Sequence, residues 1–208
     1  MSRVFSPART AMLGLLFMTL VACVSSAPTR FYMLNSVVVP EKGGGTGENG
    51  PPPAIEVGPV EFPAYLDRKQ IVTRISENEL RLAEFHEWAE PLKDNFVRVL
   101  AANLSVILST DALIVFPYKG PTPADYKVEV EVTRFDGRTG GDVTLAALWT
   151  IYGEDGKKVL LIRKSRFKEA IRGLDYETIA AAQSLTVAAL SRQIAEAIRS
   201  LSRGRPRP

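Results

Sequence analysis

Cysteine and histidine each occur once in this 208-residue chain, as Cys23 and His86, and these two side chains bound the chemistry it can do. Cys23 follows Leu20-Val21-Ala22, a hydrophobic contact and then small side chains. That pattern suits a signal-peptidase groove that must pass the chain close to a lipid-modified sulfur, so the predicted chemistry at Cys23 is acylation, with cleavage before it. Without a second cysteine no intramolecular disulfide can form, even in an oxidising compartment. One histidine cannot build a two-histidine metal site or a histidine relay within a single subunit. His86 lies in Glu84-Phe85-His86-Glu87-Trp88 and reads as an exposed or capping residue. The carboxylates of Glu84, Glu87, Glu90 and Asp94 cluster where a helix is expected to begin, and attraction to the helix dipole accounts for acids there without catalysis. Gly43, Gly44, Gly45, Gly47 and Gly50 lack the following Gly-Lys-Ser/Thr of a phosphate loop. The sequence therefore predicts no catalytic residue, no metal site, no cofactor and no enzyme activity.

The elements that would position Cys23 lie upstream of it. Arg3 and Arg9 form a positive leader with no acid before Glu41, and Ala11 to Ala22 form an apolar run of about a dozen residues, shorter than the roughly 20 a spanning helix needs. Residues 1–22 thus read as a lipoprotein signal peptide. Its removal takes the formal charge from +3 to +1, so the pI of about 9.0 reflects the leader and a basic tail rather than a cationic surface. Nucleic acid is excluded as an expected partner. Residues 23–30 form a lipidated tether, and the seven residues after the cysteine reach at most about 25 Å. Each buried methylene of an acyl chain contributes about 0.8 kcal/mol, so several chains attach the protein durably. Val24, rather than Asp, after the cysteine follows the lipoprotein convention for the outer membrane, with the body on its periplasmic face.

The remaining chain is long enough for one core, and an apolar share of 46% is that of a globular domain. Residues 31–202 are expected to form a single α/β (α+β) domain, a mostly antiparallel sheet packed by two long helices. A first strand spans Phe31 to Val39; residues 40–53, rich in glycine and ending in three prolines, form a flexible loop. Strands follow at Ile55–Phe62, at Gln70–Arg74 and, as an edge, at Leu80–Phe85. Pro91 opens a helix whose apolar stripe runs from Leu92 through Phe96, Leu100 and Leu104 to Leu108. A short strand at Leu113–Phe116 precedes the clearest alternation, Tyr126, Val128, Val130 and Val132, then a flexible turn from Asp136 to Gly141. Strands at 143–152 and 159–167, joined by a tight Asp155-Gly156 hairpin, complete a three-stranded antiparallel meander. In simple register Leu160 and Ile162 oppose the second face of the middle strand, Ala146, Leu148 and Tyr152, so that both faces are covered or the second one serves self-association into a homo-oligomer. Gly173 and Asp175 start a final helix that ends near Ser202, and residues 203–208 form a disordered basic tail.

Four segments carry a resemblance: Val57-Gly58-Pro59-Val60, Pro63-Ala64-Tyr65-Leu66-Asp67-Arg68-Lys69-Gln70-Ile71-Val72-Thr73-Arg74, Trp88-Ala89-Glu90-Pro91-Leu92, and Val99 to Leu104. With the Cys23 motif, an early Tyr32-x-Leu34 strand and a terminal helix, the chain resembles the auxiliary lipoproteins of paraquat-inducible (Pqi) and related MCE-type or ABC-type transport systems. Lys69 stands where these often have proline, and His86-Glu87 where an arginine precedes the tryptophan. The resemblance implies a non-catalytic outer-membrane subunit of an intermembrane lipid transport system, docking the transporter and supporting envelope integrity. Its implied partners are an MCE-domain protein and inner-membrane transporter subunits, with phospholipid as candidate cargo. A Pro63-led turn presents Tyr65, Leu66, Arg68, Gln70 and Arg74 to a partner's carbonyls or acids, or else Tyr65 and Leu66 cap the core and the arginines are solvated. Trp88 is grouped with them as a contact residue, although Leu92 and Phe96 continue its face into the core. A tethered periplasmic lipid carrier and an outer-membrane assembly factor are the alternatives.

Overall fold

The computed structural model describes residues 27–39, 52–117, 124–153 and 156–203. β-branched and alternating segments form β1 (Arg30–Tyr32), β2 (Ile55–Glu61), β3 (Gln70–Arg74) and β4 (Leu80–Trp88). The two 3.6-period stripes form α1 (Leu92–Leu108) and, after β5 (Leu113–Val115), β6 (Tyr126–Gly137), β7 (Asp142–Gly153) and β8 (Lys158–Ala170), α2 (Tyr176–Arg203). The signal peptide, Cys23, most of the 40–53 loop and residues 204–208 lie outside the described residues.

β6 is the hub of the sheet. One side pairs antiparallel with β7, which pairs antiparallel with β8, giving the expected meander. The other side is divided: residues 126–131 run parallel to β2, which is itself parallel to β5, whereas Gly137 meets Thr73 of β3, from which the sheet continues to β4 and β1. The two longest ladders are antiparallel, and the parallel pairings of β1, β2 and β5 make the eight-stranded sheet mixed. Together with the two helices it forms a single α+β domain.

Both helices bury one stripe in a common core. Phe96 and Leu100 of α1, Leu190 and Ile194 of α2, and Phe135, Trp149 and Ile151 of the sheet are fully buried. Phe62, Phe96 and Phe135 meet edge-on, with centroids 5.2 to 6.1 Å apart. Asp175 caps α2, accepting a hydrogen bond from Thr178 N at 2.8 Å while the Thr178 hydroxyl donates back to Asp175 O.

Four expectations are corrected. Only Arg30–Tyr32 of the first strand joins the sheet; residues 33–39 leave it and cross the helix pair, where Asn95 holds Leu34, Asn103 holds Ser36 and Ser184 holds Asn35. β4 is not an edge ending at Phe85. It runs to Trp88, because β1 pairs along it and Trp88 N donates to Lys69 O at 2.7 Å, so Glu84 and Glu87 lie on a strand and only Asp94 is in the first turn of α1. Asp136 and Gly137 are strand, not flexible turn, since a bulge between Val132 and Arg134 shifts the register and carries β6 further than simple alternation suggests. On the second face of β7, a shift at Ile151/Tyr152 sets Lys164 opposite Leu148 and Arg166 opposite Ala146. Ala146 is buried and Leu148 and Tyr152 are half-buried, while Ile162 remains 60% exposed, so that face is covered only in part.

Candidate docking groove

Pro63 begins a single 3₁₀ turn, Ala64–Leu66, closed by Leu66 N donating to Pro63 O at 2.9 Å. Proline fixes the backbone angle that such a turn needs. Leu66 drops into the core, and Arg68 Nε donates to Tyr65 O at 2.8 Å, bracing the outer side of the turn. The Trp88 N to Lys69 O bond ties this turn to the end of β4, and Gln70 sits opposite Glu87 in the ladder. Ala89 N donates to Tyr32 O at 2.9 Å, which holds the Ala89-Glu90-Pro91 corner against β1.

Between these parts lies a groove of about 520 Å³. Leu66, Trp88 and Leu92, all almost fully buried, make its floor, and Pro91 and the exposed Phe31 add apolar wall. Its rim carries both signs: Glu61, Asp67, Glu87 and Glu90 against Arg68, Lys69 and Lys93, with the Lys93 ammonium 3.4 Å from Glu61. Glu90 also pairs with Arg98. An apolar floor within a mixed polar rim suits a peptide or headgroup that combines an apolar side chain with charge at its edges.

Behind the turn, Asp136 accepts four hydrogen bonds while itself fully buried. Tyr65 Oη donates at 2.9 Å, Arg74 donates twice at 2.9 Å, and Arg134 Nε donates at 3.0 Å. Burial alone would raise the Asp136 carboxyl, but the hydrogen bonds from Arg74 and Tyr65 and the charge of Arg134 outweigh it and hold the pKa below the ordinary carboxylate value. The same burial, reinforced by Asp136, pushes the Tyr65 hydroxyl up to about 12. Arg74 additionally donates to Glu77 O at 2.8 Å.

The six residues singled out in the sequence therefore separate. Leu66, Arg68 and Trp88 line the groove; Tyr65 and Arg74 point to its rear as parts of the Asp136 network; Gln70 is half-buried in the β3–β4 ladder. Cys23 lies outside the described residues. Sequence reasoning missed Asp136, hidden by the bulge, and the groove contribution of Lys93, which has no local signal. His86 is neither exposed nor a cap: it is half-buried, Tyr32 Oη lies 2.7 Å from Nδ1, and its ring stacks on Tyr176 at 4.1 Å between centroids. Among the described residues no group of three or more His, Cys, Asp or Glu side chains is placed to hold a metal ion, and no helix is long and apolar enough to cross a membrane.

A forked mixed sheet with two helices, carrying a groove walled by a turn and a helix start, defines a single α+β domain. Residues 32–195 match the family described as ABC-type transport auxiliary lipoprotein component, and this chain belongs to that family. A crystal structure described as that of an uncharacterized protein shares the fold at TM-score 0.66 and 22% identity, covering 83% of this chain and 99% of its own. A DUF330 protein from Xanthomonas campestris does so at TM-score 0.64 and 16% identity, covering 79% and 92%. No curated protein matches the chain.

Proposed function

We propose that this chain is a non-catalytic, lipid-anchored docking subunit of an intermembrane lipid transporter, acylated at Cys23, seated on the periplasmic face of the outer membrane, and holding an MCE-domain protein or another transporter subunit in the groove beneath Phe31. The observation that carries the reading is that residues of the Ala64–Lys69 turn and of Trp88–Leu92, about twenty residues apart in sequence, wall one groove. Tyr65 and Arg74 support it from behind: tied to Asp136, they fix the turn that displays Asp67, Arg68 and Lys69. Arg68 is the partner contact of this site, and Trp88 supplies its apolar floor.

The test is affinity purification of the lipidated protein from native membranes in mild detergent, with wild type compared to Arg68→Glu and Ala64→Arg, two exposed positions of the groove. Retention of an MCE-domain or permease subunit by wild type and its loss from both variants is the expected result. The groove's volume also keeps a second reading alive, a tethered lipid carrier. Stoichiometric phospholipid extracted from the purified protein, and lost from Ala64→Arg, would favour that reading.

A further inference from the structure

Residues 31–39 alternate with period two, as extended backbone must, and the two sets of side chains meet different surroundings. The even set is fastened to the body. Tyr32 bonds His86 at 2.7 Å, Leu34 is 1% exposed with its N donating to Asn95 Oδ1 at 2.6 Å, Ser36 Oγ donates to Asn103 Oδ1 at 2.7 Å, and Val38 packs on the core. Asn103 in turn donates to Ser191 of α2. The odd set is thereby forced outward: Phe31 is 63% exposed, Met33 40%, Val37 38% and Val39 80%, broken only by Asn35. Four large apolar side chains on one line exceed what scattered surface hydrophobes require.

We infer that this ridge seats on the lipid bilayer, so that the anchor is the first point of an extended membrane-facing edge and not a free leash. The inference rests on the proposed acylation of Cys23. Phe31 comes eight residues after Cys23, and eight extended residues reach at most about 29 Å. The ridge is consequently held close to whatever membrane holds the lipid, and a partner protein covering it would have to fit between the two. Arg30, exposed at the anchor end, suits a headgroup layer that accepts cations above an apolar contact. Phe31 belongs to both ridge and groove, so the groove's Phe31 wall lies beside the membrane.

The test uses the full-length lipidated protein in vesicles of phosphatidylethanolamine and phosphatidylglycerol. Met33→Cys, Val37→Cys and Val39→Cys each receive an environment-sensitive fluorophore, with Val159→Cys, exposed on the opposite edge strand β8, as control. All four positions are exposed, so the fold is expected to tolerate them. The three ridge probes should shift to the blue, brighten severalfold and be quenched by brominated phospholipid, while the Val159 probe stays in water. Ridge probes that remain in water on vesicle-bound, lipidated protein would overturn the inference and leave the anchor standing. Blue-shifted probes that brominated lipid does not quench, and that depend on protein density, would overturn it in favour of a second copy. Mass spectrometry of the same sample separates the two failures: an unmodified Cys23 overturns the anchor and the seating together.

Discussion

Asp136 is where a single atom change should matter most. It is fully buried between two guanidinium groups and a tyrosine, so Asp136→Asn leaves Arg74 and Arg134 without their counter-charge and should cost about 3 kcal/mol in urea unfolding. Its carboxyl is held below the value of about 3.9 that it takes in the unfolded chain, so its contribution is complete above that value and is lost as pH falls through the folded pKa. Acid unfolding of Asp136→Asn should lack this part of the low-pH slope, which paired denaturation curves would reveal. Tyr65, raised to about 12, carries the opposite sign: its stabilisation is full below about pH 10 and fades as pH rises through 12. Ultraviolet titration should show a tyrosine ionising at about 12 that Tyr65→Phe removes, beside Tyr152, which its hydrogen bond to Glu129 also raises. At Asn95, 1% exposed, the side chain accepts from Leu34 N and donates to Leu34 O at 3.3 Å. Asn95→Ala should cost about 2 kcal/mol and speed amide exchange at Leu34 above that at Leu100. Tyr65 and Arg74 were legible in the sequence as a turn with cations, but their shared partner was not, because a carboxylate some sixty residues away leaves no local pattern.

Elements follow the sequence where one periodicity acts alone. The stripes of α1 and α2 and the Val128-Val130-Val132 alternation appear where expected, because each element buries one continuous face. Irregularities are what periodicity conceals: the bulge in β6 hid Asp136, and the shift in β7–β8 set Lys164 and Arg166 opposite Leu148 and Ala146. β4 was underestimated because its last residues are held by Lys69 O and by a three-residue β1, contacts made between segments distant in sequence. Gly58 sits at a further irregularity, with φ +115° in a register shift of β2, where an added Cβ would lie 2.9 Å from Phe116 Cβ. Gly58→Ala should therefore destabilise the domain by about 1 to 3 kcal/mol, measured as a lowered urea midpoint with unchanged slope.

For the whole molecule, family membership places the chain in transport, and the arrangement of groove and ridge states how it would serve there. The contact residues expected from the resemblance lie on two of its four segments, and only the fold revealed that Leu66, Arg68 and Trp88 converge while Tyr65 and Arg74 buttress them from the other side. Arg68 is the sharpest probe, since its guanidinium is exposed and, among the described residues, hydrogen-bonds its own turn through Tyr65 O. Reversal of its charge should leave the urea midpoint within about 0.5 kcal/mol of wild type, as surface changes usually do. Affinity purification of Arg68→Glu and wild-type lipoprotein from native membranes tests the central claim most directly. The account predicts an MCE-domain or permease subunit recovered with wild type and depleted with an equally folded, equally lipidated Arg68→Glu. Recovery of the wild-type lipoprotein alone, or retention of the same subunit by Arg68→Glu and Ala64→Arg alike, would contradict it.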